Sequence, residues 1–420
     1  MPATVTADAD VAAVQTRSVR TLVGGQVVGG IGLGATVGVA SLLAEEVAGS
    51  KAWAGFAATA MTLGAGVLAV PLARLANSHG RRVALSTGWF LGALGGALVI
   101  VAATAGQLAL LLVGMLLVGS GNAANLQSRY AATDLAPPHR RGRALSIVVW
   151  ATTIGAMLGP NLIDPGATIA GYLGLPRLSG PVIFSALAFG VGAVLTWVVM
   201  RPDPLLLAQR LASEHDSTTR PERGTLRSAF GVVFRSGHAT LGFVAIALAH
   251  TAMIGVMTMT PIHMKDGGAH IAVVGLTISL HVAGMYAFSP IMGLLVDKLG
   301  RVPLIVAAQG VLIAAVVVAG TSDGSTVRVT VGLFLLGLGW SAAVVAGSTL
   351  LADTIPPAQR ASAQGLSDLA MNVVGASGSA LSGTLLAHHG FGGLNTMAGL
   401  LVVPVLALVA VAAVQRRPTS

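Results

Sequence analysis

The sequence predicts an all-α membrane protein, with twelve transmembrane helices in two pseudo-symmetric six-helix bundles. Hydrophobic residues make up 54% of the chain and charged residues only 9%, whereas soluble domains carry about 25% charged residues. The long apolar spans match the ~20 residues that a helix needs to cross a bilayer, and they lack the alternation of a membrane β-barrel. Sequence landmarks also recur between the two halves of the chain, which indicates two similar bundles.

Six apolar spans precede a polar stretch, and six more follow it. The polar stretch, residues 201–237, is predicted to be a cytoplasmic linker between an N-terminal bundle at 1–200 and a C-terminal bundle at 238–420. The spans are expected at about 21–43, 53–73, 83–105, 108–131, 144–163, 181–200, 239–264, 271–295, 303–320, 327–351, 362–387 and 394–414.

The Lys and Arg residues are concentrated on one side of the membrane when alternate loops are assigned to opposite sides. Only Lys51, Arg177, Lys265 and Arg328 fall on the other side. Because positive charge marks the cytoplasmic side, we expect a multi-pass protein of the cell membrane with both termini in the cytoplasm. The start of the chain lacks the features of a signal peptide. The net charge of +9 is therefore interpreted as a topology signal, and no nucleic-acid partner is expected.

Two landmarks of the first half recur in the second. Residues 77–81, after the second span, correspond to 297–301 after the eighth, and residues 134–138, after the fourth, correspond to 353–357 after the tenth. Two landmarks at nearly the same offset imply two bundles of similar structure. Such halves enclose a substrate site near the middle of the bilayer and alternate access to it by rocking.

The loop after the eighth span resembles the signature loop of the major facilitator superfamily. Gly293, Asp297, Lys298, Gly300 and Arg301 stand at the family spacing. The first-half copy is degraded, since alanine and asparagine replace its first glycine and its aspartate, so the usual charge network of that loop is not expected there. The replaced and retained positions of this copy are Ala73, Asn77, Gly80, Arg81 and Arg82.

The fifth span carries Gly155, Gly159 and Pro160, which resemble the antiporter-associated motif of the same family. The resemblance covers the whole chain and implies a secondary transporter. The sequence shows no nucleotide-binding loop, catalytic triad or zinc-protease helix, so we expect neither an enzyme nor a bound cofactor. We expect a monomer in the lipid bilayer that binds a small molecule or a metal ion as its substrate.

The seventh and eighth spans carry thioether and imidazole groups where leucine is usual. Six of the thirteen methionines fall between residues 253 and 293. At ~100° per residue, Met253, Met257 and Met264 share one face of the seventh helix. On the eighth helix, His281, Met285 and Met292 share one face. Thioether and imidazole groups suit copper, and thioethers prefer Cu(I). The predicted metal site is Met253, Met257, His281 and Met285, and Met264 and Met292 are possible additional ligands.

Packing is the alternative explanation for these methionines, since methionine fills gaps in apolar cores and binds organic molecules adaptably. The paired histidine favours function, because an intramembrane histidine is costly to leave without a partner. His250 is either a further ligand or proton site or a hydrogen-bonded residue of helix packing.

The Met and His motifs resemble those of the CcoA-like copper importers, one branch of the superfamily. This resemblance implies copper transport, with copper moving inward through Met253, Met257, His281 and Met285. Two alternatives remain. The protein could be a proton-coupled exporter of drugs or small metabolites, which the motif at Gly155 favours, or a membrane sensor or assembly factor that binds metal without transporting it.

Charged residues near the cytoplasmic helix ends are interpreted as gating ion pairs, because charges at membrane depth normally need a partner. We expect Asp368 to pair with Arg81 or Arg82 in the outward-open state, since these groups lie at matching depth. The full predicted set is Arg81, Arg82, Arg129, Asp134, Asp297, Arg301 and Asp368.

Overall fold

The computed structural model describes residues 2–49, 53–215 and 226–414, and all of their regular structure is helical. The helices are α1 (Pro2–Ala48), α2 (Ala54–Ala105), α3 (Leu108–Ala131), α4 (Arg141–Leu158), α5 (Ile163–Tyr172), α6 (Gly180–Val199), α7 (Pro204–His215), α8 (Leu226–Arg235), α9 (Gly237–Asp266), α10 (Ile271–Tyr286), α11 (Ser289–Leu299), α12 (Arg301–Gly320), α13 (Thr326–Thr354), α14 (Pro357–Leu400) and α15 (Val402–Val414). Short 3-10 turns at Pro138–Arg140, Gly159–Leu162 and Arg177–Ser179 join some of them.

Eight helical segments of the described residues are long and apolar enough to cross a membrane, or up to ten if each of two bent pairs counts as one span. The all-helical prediction is confirmed, and the predicted number of twelve spans is not. Membrane spans are difficult to count because one helix can contain more than one of them. Helix α2 has 52 residues, about 78 Å at 1.5 Å per residue, whereas the hydrocarbon core is only ~30 Å thick.

Two of the three longest helices are interrupted by glycines with positive φ. In α2, Gly80 has φ 90° and ψ 171°, and in α14, Gly390 has φ 67° and ψ −177°. Residues with a Cβ rarely adopt these angles, whereas glycine does so at little cost. The break in α2 falls at the first-half signature loop, between the expected second and third spans.

The polar stretch between the halves contains regular structure that its lack of an apolar period did not predict. Helices α7 and α8 lie there. Asp203 accepts hydrogen bonds from the backbone N–H of Leu205 (3.0 Å) and of Leu206 (3.2 Å). An acidic side chain at this position satisfies free N–H groups of the first turn, which explains why α7 begins there.

Contacts divide the chain into two compact units, and the first comprises Met1–Pro137, Ala151–Ala229 and Pro356–Leu369. At its core, the buried rings of Trp89 and Phe189 stack with centroids 5.8 Å apart. A Cβ on Gly29 would lie 2.1 Å from the Trp89 ring, so only glycine lets α1 approach α2 this closely.

The second unit comprises Pro138–Trp150, Phe230–Ile355 and Ala370–Ser420. Helix α13 lies at its centre, with every residue from 339 to 352 buried, and packs against α9, α10 and α12. Segment 138–150 of the first half thus belongs to the second unit, and segment 356–369 of the second half belongs to the first.

Candidate functional site

A buried charge network joins α2, α3 and α14 within the first unit. Arg81 Nε donates to Asp134 Oδ2 at 2.8 Å, and Arg81 Nη2 donates to Gln364 Oε1 at 2.5 Å. The Arg81 and Asp134 side chains are fully buried. The bond to Gln364 connects a residue of the predicted N-terminal bundle to a residue of the predicted C-terminal bundle.

A second buried pair links the same helices. Arg129 Nη2 lies 2.5 Å from Asp368 Oδ1, with side-chain exposures of 3% and 0%. The structure thus pairs Asp368 with Arg129, whereas the sequence suggested Arg81 or Arg82. Arg82 instead donates its backbone N–H to Asp203 Oδ2 at 2.7 Å and holds its guanidinium 4.5 Å from the centre of the Trp197 ring.

The degraded signature loop makes a neutral contact in this network. Asn77 Nδ2 donates to Ser362 Oγ at 2.5 Å. Nearby, a Cβ on Gly365 would lie 2.3 Å from Ala73 Cβ, so α2 and α14 meet at van der Waals distance. The alanine and asparagine of the degraded loop therefore both contact α14, although the loop has lost its acidic residue.

The matching network in the second unit is built around Asp353. Arg301 Nε lies 2.7 Å from Asp353 Oδ2, and Arg141 Nη1 lies 2.5 Å from Asp353 Oδ1. Arg301 also donates to the carbonyl oxygen of Pro138. The segment before and at the start of α4 is thereby joined to α12 and α13.

The intact signature loop places Asp297 at the N-terminus of α4. Its two carboxylate oxygens accept from the backbone N–H of Gly142 at 3.0 Å and of Arg143 at 2.8 Å. These N–H groups lack partners inside the helix, and the positive end of the helix dipole favours an anion beside them. Gly142 is required, since a Cβ there would lie 1.9 Å from Val296.

Four residues of these networks were not predicted as functional candidates from the sequence: Asp353, Gln364, Arg141 and Asp203. The repeat contained the signal for Asp353, because Arg81–Asp134 in one unit and Arg301–Asp353 in the other are matched positions of the two halves. For Gln364 the sequence has no comparable signal, and nothing in it distinguishes Arg141 from the neighbouring Arg140 and Arg143.

The predicted metal ligands on α9 are Met253 and Met257. Met253 is 2% exposed, and Met257 is half-buried. On the same helix, His250 Nδ1 accepts a hydrogen bond from Trp340 Nε1 at 3.1 Å, and a Cβ on Gly375 would meet its ring at 2.7 Å. These contacts belong to helix packing, which is one of the two explanations given above for His250.

The predicted ligands on α10 pack against α13. His281 is fully buried, and its Nδ1 lies 2.7 Å from the Leu333 carbonyl oxygen. A Cβ on Gly337 would lie 2.3 Å from the His281 carbonyl oxygen and 3.0 Å from the Met285 nitrogen. The helix segment that carries His281 and Met285 thus lies directly against α13.

Two further methionines were possible ligands. Met264, near the end of α9, is 2% exposed, and Met292, on α11, is 8% exposed. Within residues 2–49, 53–215 and 226–414, no group of three or more His, Asp or Glu side chains is placed to hold a metal ion. The Met and His site stays a prediction.

The glycines of the fifth-span motif lie against α1. A Cβ on Gly155 would lie 2.5 Å from Gly30 Cα, and a Cβ on Gly159 would lie 2.6 Å from Gly34 Cα. The side chain of Pro160 is outside the described part of the structure. Two pairs of glycines spaced four apart therefore let the two backbones touch.

The family is shown by comparison with known proteins. The family model for the Major Facilitator Superfamily matches residues 22–269 and 242–420. The chain is 37% identical over 395 residues to the uncharacterized MFS-type transporter YddS of Bacillus subtilis, which covers 93% of this chain and 90% of that protein. It is 28% identical over 387 residues to the riboflavin transporter RfnT of Brucella anthropi, covering 90% of each.

The fold agrees with that of a solved transporter structure. The human organic anion transporter MFSD10 superposes with a TM-score of 0.76 at 17% identity, over 94% of this chain and 99% of that one. The chain belongs to the major facilitator superfamily and is a multi-pass membrane transporter. The relatives found do not support the copper-importer branch that the sequence suggested, and they leave the substrate open.

Proposed function

We propose that the protein is a secondary active transporter of a small organic molecule, with both termini in the cytoplasm. The two charge networks close the cytoplasmic side in one state of an alternating-access cycle. The observation that carries this proposal is the pairing of segment 356–369 with the first half and of segment 138–150 with the second. Both networks must break before the cytoplasmic side opens.

An organic substrate is favoured over a metal ion by the contacts of α10. The Leu333 carbonyl engages Nδ1 of His281, and the backbone beside Met285 lies against Gly337. The first contact explains the buried His281 as a packing residue, and the second places the backbone of Met285 at the same contact between α10 and α13. The similarity to a riboflavin transporter over 90% of the chain also favours an organic molecule, with riboflavin as the first to test.

Copper import remains the second candidate because of one nitrogen. A carbonyl oxygen only accepts, so His281 Nδ1 carries the hydrogen in its bond to Leu333. His281 Nε2 then holds a lone pair, and within the described residues it is buried without a hydrogen-bond partner. A neutral imidazole with Nδ1–H bound to a carbonyl is the usual form of a metal-ligating histidine. Met285, one turn further on, would add a thioether.

Flux into proteoliposomes separates the candidates. Purified protein is reconstituted, and entry of riboflavin, a cationic dye and Cu(I) is measured against empty vesicles and against Asp368→Asn. We expect flux of an organic probe that is lowered in Asp368→Asn. Binding of Cu(I) without flux of any probe would contradict transport and support a metal sensor.

Substitution of the methionines tests the copper site directly. Met257→Leu and Met285→Leu change volume little, at a typical cost below about 1.5 kcal/mol. An organic transporter should keep most of its flux in both variants, whereas a copper importer should lose copper flux because leucine has no donor atom. Loss of Cu(I) entry in both variants at unchanged expression would reverse the order of the two candidates.

A further inference from the structure

A crevice of about 660 Å³ lies between α1 and α6 within the first unit. None of its lining residues belongs to either charge network or to α9 and α10, the helices that carry the predicted metal ligands. One wall comes from residues 12–21 of α1, just before and at the start of the expected first span, and the other from the last turns of α6. Its lining residues are Ala12, Ala13, Thr16, Arg17, Arg20, Thr21, Leu195 and Val199.

Two exposed arginines give the crevice its charge. Arg17 and Arg20 are three residues apart and thus neighbours on one face of α1. Arg17 Nη1 donates to the Arg201 carbonyl oxygen at 2.8 Å, which fixes this guanidinium at the crevice and leaves its other N–H groups for a ligand. No ion pair of Arg17 or Arg20 occurs among the side chains that the structure describes.

The threonines of the crevice already use their hydroxyl hydrogens inside α1. Thr16 donates to the Ala12 carbonyl and Thr21 to the Arg17 carbonyl, each at 2.9 Å. The guanidinium groups are therefore the donors that remain for a ligand. Planar guanidinium groups bind oxyanions such as phosphate through paired hydrogen bonds, so the chemistry of this wall suits a phosphate.

The opposite wall is apolar, and its neighbours indicate a position near the membrane interface. Leu195 and Val199 supply it. Between them in sequence, Trp197 is 45% exposed and carries the Arg82 guanidinium over its ring. Tryptophan and arginine collect at the level of the lipid headgroups, so a molecule in the crevice meets cations at one end and hydrocarbon at the other.

We propose that this crevice is a binding site for an anionic phospholipid. Arg17 and Arg20 hold the headgroup phosphate, and the first carbons of an acyl chain lie along Leu195 and Val199. The bound lipid joins α1 to α6. The site is independent of the transported substrate, so its failure would leave the proposed function untouched.

Thermal unfolding of the full chain in zwitterionic detergent tests the proposal. A ligand that binds the folded state raises the midpoint as its concentration rises. The additives are phosphatidylglycerol, phosphatidylcholine and glycerol 3-phosphate. The variants are Arg17→Gln with Arg20→Gln, and a control, Arg210→Gln with Arg235→Gln, which removes the same charge from two exposed arginines outside the crevice.

We expect phosphatidylglycerol to stabilise the native chain and the control alike. The crevice variant should bind it about thirtyfold more weakly, as expected for two arginines at a lipid surface. If the double variant does not fold, Arg20→Gln alone leaves the Arg17–Arg201 bond in place and should weaken binding about fivefold.

Three results would overturn the lipid site. Equal weakening in the crevice variant and the control would indicate diffuse surface charge. An equal response to phosphatidylcholine would show that the anion is not recognised. A shift with glycerol 3-phosphate as large as that with phosphatidylglycerol would show that a soluble phosphate, and not a lipid, is the ligand.

Discussion

At the scale of single residues, the buried Arg129–Asp368 pair is expected to be sensitive to substitution. Both side chains are buried, and removing one partner from a buried pair leaves a charge that neither water nor protein compensates. Asp368→Asn should lower the free energy of unfolding by about 3 kcal/mol or more. Thermal unfolding in detergent, together with flux in vesicles, measures the loss.

The chain contains a matched control for this substitution. Arg328 and Asp323 lie 4.0 Å apart with side-chain exposures of 59% and 90%, and such surface pairs contribute under about 1 kcal/mol. Asp323 has φ 47°, which asparagine tolerates well, so Asp323→Asn should be nearly neutral. Equal losses of stability in the two variants would show that the buried pair stabilises the protein no more than the surface pair does.

His281 gives a second prediction at this scale. His281→Ala removes the bond to Leu333 and leaves a cavity between α10 and α13, at a cost of about 2–4 kcal/mol. His281→Asn should restore part of the stability, because its amide donates from nearly the place of Nδ1. Unfolding midpoints of the three proteins test this, and an alanine variant as stable as the native protein would refute the packing role.

The sequence predicted which residues form ion pairs more accurately than it predicted the partner of each residue. Arg81, Arg129, Asp134 and Asp368 were all expected in ion pairs, because charges at membrane depth need partners. Depth alone does not decide between cations at similar depth on different helices, so the assignment of Asp368 to Arg129 needed the structure. Likewise, periodicity placed His281 and Met285 on one face of a helix. It did not show that α10 lies against α13, because a membrane helix carries apolar residues on the faces toward lipid as well as on those toward protein.

At the scale of elements, the contact between α1 and the end of α4 depends on glycine. Gly155→Ala would put a Cβ 2.5 Å from Gly30 Cα, and neither backbone can yield without separating the helices. We expect the variant to unfold at lower temperature and to lose flux, since small residues are what let membrane helices approach closely.

Gly190→Ala is the control for this prediction. Gly190 lies in α6, and nothing stands within 4 Å of a Cβ built there. Alanine is favoured over glycine in a helix by about 1 kcal/mol, so this variant should be neutral or slightly stabilised. A loss of flux as large as that of Gly155→Ala would mean that added bulk in any helix, and not this contact, is responsible.

Helix number was the part of the fold that the sequence predicted least well. The apolar spans were visible, but at Gly80 and Gly390 a kink of a single residue takes the place of a loop, so one long helix contains segments that hydropathy separates. The short α7 and α8 were missed because they carry no apolar span long enough to cross a membrane.

At the scale of the whole molecule, the internal repeat is the organising feature. The offset between the halves, which the sequence shows at the signature loops, extends to the ion pairs Arg81–Asp134 and Arg301–Asp353. The halves differ in one respect, since Asp297 places a charge at the start of α4 where Asn77 offers α14 only a neutral amide. The network of the first unit is therefore the place to observe opening.

Thiol labelling measures that opening without knowledge of the substrate. The chain has no cysteine, so Ser362→Cys, at a position 3% exposed, provides a single reporter beside Asn77. Its rate of reaction with a membrane-impermeant maleimide is compared between the native background, Asp368→Asn and Asp323→Asn. Ser185→Cys, at a fully buried position between α1 and α6, reports general unfolding.

The account predicts slow labelling of Ser362→Cys in the native background and in Asp323→Asn. In Asp368→Asn the rate should rise at least about tenfold, since a bias of 1.4 kcal/mol toward the open state already gives a factor of ten, while Ser185→Cys stays slow. An unchanged rate in Asp368→Asn would show that this network does not close the transporter. A faster labelling rate at both Ser362→Cys and Ser185→Cys would also contradict this role, because the network would then stabilise the fold and would not control opening.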